Sequence, residues 1–212
     1  LVCVAERLLG EAEPEAELVR VEPDGSVTVL ASGRDFYASP RPSPAGDELA
    51  WLEWDHPGMP WDGTELRLAP LEAGGVGRSR RIAGSSSESI FQPEFDADGR
   101  LYFASDISDW WNLYRWNREE IESVMPMRAE FGLPQWQFGM RTYAFVGDGR
   151  VLCTWQAEDG QRAALLDDAG TAQPLELPYS GIGGPVARDG VAWFVGNRHD
   201  AFPELVRLDL DG

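Results

Sequence analysis

Apolar and polar side chains alternate with a period of two along short stretches of this chain, which Gly, Asp and Pro interrupt every few residues. Such a pattern reads as short β-strands joined by tight turns. Four stretches align: RPSPAGDELAWLEW (residues 41–54), QPEFDADGRLYFAS (92–105), AFVGDGRVLCTW (144–155) and GPVARDGVAWFVG (184–196). Each holds a small or apolar strand, a turn (AGD, ADG, GDG or RDG) and a second strand of large apolar residues. Gly and Asp suit these hairpins because they tolerate the positive φ that such turns require. A third strand follows each hairpin after a loop: TELRLAPL, NLYRWN, RAALLDD and ELVRLDL.

The second strands begin at Leu49, Leu101, Val151 and Val191, and the opening LVCVAE fits the same strand. Four short strands per unit of about 40–50 residues is the period of β-propeller blades. The first unit lacks its innermost strand and the last ends after its third. The expected fold is therefore all-β: a β-propeller segment of four-stranded blades, three whole and two partial. The blades are expected over about residues 1–33, 34–86, 87–130, 131–177 and 178–212. Five sheets broken in this way are not expected to close a ring alone, which points to part of a seven- or eight-bladed ring. Cys3 and Cys153 occupy equivalent blade positions and read as core side chains rather than a disulfide.

Composition narrows the function. Of 212 residues, 36 are acidic and 18 basic, for a net charge of −18. That excess argues against binding nucleic acid or anionic membrane surfaces. Every basic residue is Arg, so lysine chemistry is excluded. No apolar run approaches the ~20 residues of a membrane helix. The start, LVCVAERLLGE, carries charge too early for a signal peptide, and Leu1 is not expected to be the first residue translated. Two cysteines and two histidines are little material for a metal centre. The expectation is a cytoplasmic, reduced protein with no metal and no cofactor.

A meandering blade sends its connections to two faces. The first-to-second-strand turns are short and interchangeable. The loops of the other face are long, aromatic and individually distinct, and function concentrates on such loops. The richest, EWDHPGMPWDGTE, presents Glu53, Trp54, Asp55, His56, Trp61, Asp62 and Glu65. Its carboxylates suit a cationic amine and its indoles an apolar pocket; the plainer alternative is packing tryptophans and solvated acids. In Asp109-Trp110-Trp111-Asn112, alternation sends one indole inward and leaves the other for a partner surface. Phe91 and Gln92, Trp136 and Phe138, and Phe36 and Tyr37 introduce innermost strands and are expected at the channel mouth, although core packing is the plainer role. The run EAEPEAE (residues 11–17) reads as a solvated acidic loop. No nucleophile elbow, H-E-x-x-H, C-x-x-C, phosphate loop or dinucleotide fingerprint occurs, and no catalytic residue is assigned.

These residues carry a resemblance. Residues 35–66, with their WDHPGMPWDGTE, and residues 88–116 and 131–145 closely resemble the propeller of prolyl oligopeptidase-family serine peptidases, in the branch of acylaminoacyl and dipeptidyl peptidases. The resemblance implies a propeller over an α/β-hydrolase domain with a Ser–Asp–His triad, expected after residue 212. The propeller would admit short peptides only and help line the substrate site of an exopeptidase acting near the amino end. In such relatives propeller carboxylates can hold the substrate's ammonium, which nominates Glu53, Asp55, Asp62 and Glu65. Expected partners are short peptides and the hydrolase domain of the same parent chain, with a homo-oligomer open. The alternative is a TolB-like, non-enzymatic propeller serving protein interaction; a stand-alone propeller hydrolase or lactonase lacks the metal-binding residues it would need.

Overall fold

The computed structural model describes residues 1–10, 13–158 and 160–211, and every regular element among them is a β-strand. Strands β1 (Val2–Arg7), β2 (Glu15–Val21) and β3 (Val27–Ala31) form a three-stranded antiparallel sheet in sequence order. The second sheet runs β4 (Phe36–Pro42), β5 (Glu48–Trp54) and β6 (Glu65–Glu72). It is completed by the short β7 (Gly75–Val76) and by β8 (Arg80–Ala83), both paired with β6. Next come β9 (Ile90–Phe95), β10 (Leu101–Ser105), β11 (Asn112–Trp116) and β12 (Ile121–Ser123) in one sheet. Strands β13 (Tyr143–Phe145), β14 (Val151–Ala157), β15 (Gly160–Leu166) and β16 (Ala172–Leu175) form another. The last sheet holds β17 (Gly181–Arg188), β18 (Val191–Asn197) and β19 (Glu204–Asp209). Two three-stranded sheets thus flank three sheets of four or more strands, the blade pattern read from the sequence. The anticipated second strands are β1, β5, β10, β14 and β18, each starting within one residue of its expected position.

The short turns form for local reasons. Asp96 accepts the backbone N–H groups of Asp98 and Arg100 at 3.0 and 2.9 Å, and Ser43 Oγ accepts those of Asp47 and Glu48 at 3.2 and 3.1 Å. A side-chain oxygen bonding the backbone ahead of it closes the turn with local bonds alone. The acidic run differs from its expected loop. Glu15 to Glu17 open β2, because the alternation E-A-E-L-V-R-V turns Ala16 and Leu18 inward while Glu17 pairs with Arg7 at 3.0 Å. Glu11 and Ala12 of that run lie outside the described residues.

Two compact units divide the chain: Leu1–Phe103 with Pro134–Phe138, and Ala104–Leu133 with the remainder from Gly139. In the first, Ala16, Leu18 and Leu30 pack on Tyr37, Leu49, Trp51 and Ala69, joining the first two sheets face to face. Full burial of side chains such as Leu18 and Leu49 is worth roughly 1.5–3 kcal/mol each. In the second, Val146, Leu152, Leu165 and Ala192 form one core cluster, and Ala163, Ile182 and Phe194 another. Both cysteines are free thiols. Cys153 is buried, which pushes its thiol up to about 12, while Cys3 is only partly covered.

Between β8 and β9 the chain turns at Gly84, with φ +84°, against the carbonyl oxygen of Thr64. A Cβ there would lie 1.9 Å from that oxygen, whereas one on Gly74 would meet nothing within 4 Å. Gly84→Ala is therefore expected to cost on the order of 2–4 kcal/mol in denaturant unfolding, against less than about 0.5 for Gly74→Ala. Equal effects would remove this account of the turn. In a Cys3→Ser background, Cys153 is expected to resist a thiol reagent at pH 8 until denaturant is added; rapid labelling of the native protein would contradict its burial.

Candidate functional site

The site grows from the end of one hairpin. Strands β5 and β6 pair Glu53 with Glu65 and Trp51 with Arg67, while β4 sets Tyr37 against Glu53. Because side chains alternate along a strand, these residues share one face. Two carboxylates directly opposite each other repel, and Glu53 has a side-chain exposure of only 9%. The remedy comes from Arg34, two residues before β4. Its Nε donates to Glu53 Oε1 at 3.2 Å, its Nη2 to Glu65 Oε1 at 3.1 Å, and its Nη1 to Asp55 Oδ2. Arg67 adds a bond from Nη1 to Glu65 Oε2 at 3.1 Å, and the Trp51 indole donates to Glu53 Oε2 at 2.7 Å.

Burial works against the charge on Arg34. Its hydrogen bond to Asp55 and the charges of Glu53, Asp55 and Glu65 more than offset that, so its pKa is raised. Burial likewise raises the Asp55 carboxyl, but the Asp35 amide at 3.0 Å and the Arg34 guanidinium bring it below the ordinary value. Burial also pushes the Tyr37 phenol up, although its hydroxyl accepts the Arg34 N–H at 3.3 Å.

Beyond Trp54 the loop to Glu65 is bonded internally and pinned at its far end. Met59 N donates to Asp62 Oδ2 at 2.9 Å, and Asp62 N to Met59 O at 2.9 Å. Ile90 N donates to Thr64 Oγ1 at 2.7 Å, and Ser89 Oγ to Pro60 O at 2.8 Å. The Phe36 ring stacks on Trp54 at 5.2 Å and meets the His56 ring edge-on at 4.7 Å, while His56 N donates to Asp35 Oδ2 at 2.8 Å. The result is a cleft of about 390 Å³ lined by Arg34, Glu53, Trp54, Asp55, His56 and Glu65, with Ser85 and Ser86 at its side. It has an aromatic wall and a polar floor whose charges are largely paired.

The remaining nominated residues part company. Trp61 packs against Trp136 with ring centroids 4.4 Å apart and the rings tilted by 50°. Gln135 anchors the Trp136 loop by donating to Ile90 O at 2.9 Å, leaving Trp136 72% and Phe138 71% exposed. Phe91 and Gln92 are instead buried within β9, so this segment covers both side chains that were expected at a mouth. Of the Trp110–Trp111 pair, Trp111 is buried against Gly132, where a Cβ would meet its ring at 2.0 Å, while Trp110 is exposed. Sequence reasoning missed Arg34 and Arg67. The usable signal was three acids, Glu53, Asp55 and Glu65, at the two ends of one loop between paired strands, which demand a nearby cation.

Asp55 has a lower pKa folded than unfolded. Its contribution to stability is therefore present above about pH 4 and lost as pH falls through the lowered folded value. The side chain is 40% exposed, which limits the contribution to about 1 kcal/mol or less. Asp55→Asn is expected to lower the unfolding midpoint at pH 7 and to flatten the loss of stability below pH 4. An acid limb identical to that of the wild type would show that Asp55 is not the titrating group.

No family model and no curated protein matches the chain. Solved structures do. A puromycin-hydrolyzing peptidase of Mycobacterium tuberculosis is 34% identical, with a TM-score of 0.89 over 99% of this chain and 34% of that one. A puromycin hydrolase is 30% identical, with a TM-score of 0.91 over 98% of this chain and 34% of its own. The prolyl oligopeptidase B of Galerina marginata, at 11% identity and a TM-score of 0.74, shares the fold. This chain spans about a third of the length of the two hydrolases it matches. Its blades and its end-to-end match show a β-propeller segment similar to about a third of these puromycin-hydrolysing enzymes, with the fold that the prolyl oligopeptidase shares.

Proposed function

We propose that this segment is the substrate-gating and substrate-binding part of a serine exopeptidase that cleaves short peptides near their amino end. The observation that carries the reading is the end-to-end likeness to a puromycin-hydrolyzing peptidase. A puromycin hydrolase has also been solved with PGG. Chemistry belongs to an α/β-hydrolase domain of the same parent protein, for this segment contributes no triad. What it contributes is shape and field. Trp54, His56, Trp61, Asp62, Trp136 and Phe138 present an aromatic, acidic loop surface held by the Arg34 node at one end and by the Ser89, Ile90 and Gln135 bonds at the other, so that a peptide meets a preorganised wall. The net charge of −18 steers cationic peptide ends toward it in preference to anionic ones. The blades admit a short, flexible chain and exclude a folded protein.

In the intact protein, a tripeptide anilide is expected to be hydrolysed, with loss of activity after treatment with a fluorophosphonate, while a folded protein substrate is left whole. Absence of peptide hydrolysis, or equal cleavage of the folded substrate, would sink the reading. Trp61→Ala is expected to raise KM about 3- to 10-fold with a smaller change in kcat, as the loss of an aromatic pair worth about 0.5–1.5 kcal/mol implies. Unchanged KM would remove Trp61 from the substrate surface.

A further inference from the structure

We propose that Arg34 is a specificity-determining residue of this cleft: it occupies the position in which a substrate ammonium would meet Glu53, Asp55 and Glu65, and it keeps amino-end charge from being read there. The inference rests on the reading that the cleft faces peptide substrates. It refines the resemblance, which nominated these carboxylates as ammonium ligands.

Glu53 accepts Arg34 Nε on one oxygen and the Trp51 indole on the other. Asp55 accepts Arg34 Nη1 on one and the Asp35 amide on the other. Glu65 accepts Arg34 Nη2 on one and Arg67 Nη1 on the other. Every oxygen of the three carboxylates already holds a donor from this chain. A primary ammonium brings three donors and a single charge, and it would meet carboxylates whose shared centre and charge a planar fork with charge-assisted bonds already occupies. It also competes at a disadvantage in concentration. Arg34 is tethered two residues before β4, so its effective concentration is on the order of millimolar or above, whereas a peptide arrives from free solution. Of the four nominated acids, Asp62 alone stands outside the node, accepting the Met59 N–H with no ion pair among the described residues.

The test uses the intact protein and one fluorogenic peptide amide, with its amino end either free or acetylated. The readout is the ratio of kcat/KM for the free form to that for the acetylated form. Arg34→Ala and Arg34→Gln are expected to raise this ratio about tenfold through a lower KM for the free form. Arg34→Lys, which keeps a cation in place, is expected to leave the ratio near that of the wild type. Guanidinium at about 20 mM is expected to return Arg34→Ala toward the wild-type ratio. A ratio unchanged or lowered in both neutral variants overturns the proposal.

Should those variants fail to fold, Glu65→Gln decides. A ratio within twofold of wild type supports the proposal, and a selective loss for the free-amine peptide overturns it. If the wild type cleaves neither peptide, the preceding reading falls and thermal unfolding decides this one. A Tm gain from guanidinium larger in Arg34→Ala than in wild type supports it; equal responses overturn it.

Discussion

The first constraint on the site is that the hairpin of β5 and β6 puts Glu53 opposite Glu65. Two carboxylates at that spacing, one almost buried, are tolerable only with cations between them. Arg34 and Arg67 meet that need, and in doing so they tie the start of β4 to the ends of β5 and β6. Leaving Glu53 buried without its partner would cost several kcal/mol. The loop from Asp55 to Thr64 inherits its position from this node at one end and from bonds to Ser89 and Ile90 at the other.

This arrangement explains how a long, irregular loop holds one shape. Two prolines, an internal Met59–Asp62 turn and anchors on both flanks leave it little freedom to lose on binding. Trp61 is consequently a fixed platform, on which Trp136 arrives from a loop distant in sequence. The exposed indole and phenyl of Trp136 and Phe138 are not defects of packing but the outer layer of a surface whose inner layer is already closed.

Much of the fold was legible because its signal is local. The period-two alternation and the Gly/Asp turns marked β5, β10, β14 and β18 to within a residue, and the missing strands of the outer sheets showed in the same register. Trp110 and Trp111 separated into an exposed and a buried ring as expected, although both precede β11 and it is packing on Gly132 that buries Trp111. The acidic run failed for an instructive reason: its charges dominated the reading, while the alternation of Ala16 and Leu18 decided the strand. For Phe91 and Gln92 two roles were open, the channel mouth and core packing; β9 begins at Ile90 and buries both, as the packing role requires.

The sequence by itself determined the blades, the family resemblance and the long aromatic, acidic loop after β5, since all three depend on neighbours in the chain. Only the tertiary structure decided what the carboxylates do. Whether Glu53, Asp55 and Glu65 are open acceptors or occupied ones depends on a guanidinium that lies 19 to 31 residues away in sequence and about 3 Å away in space. Charge composition records how many acids and bases there are. Pairing is a property of strand register and turn geometry, which bring Arg34 over a face that β5 and β6 build together.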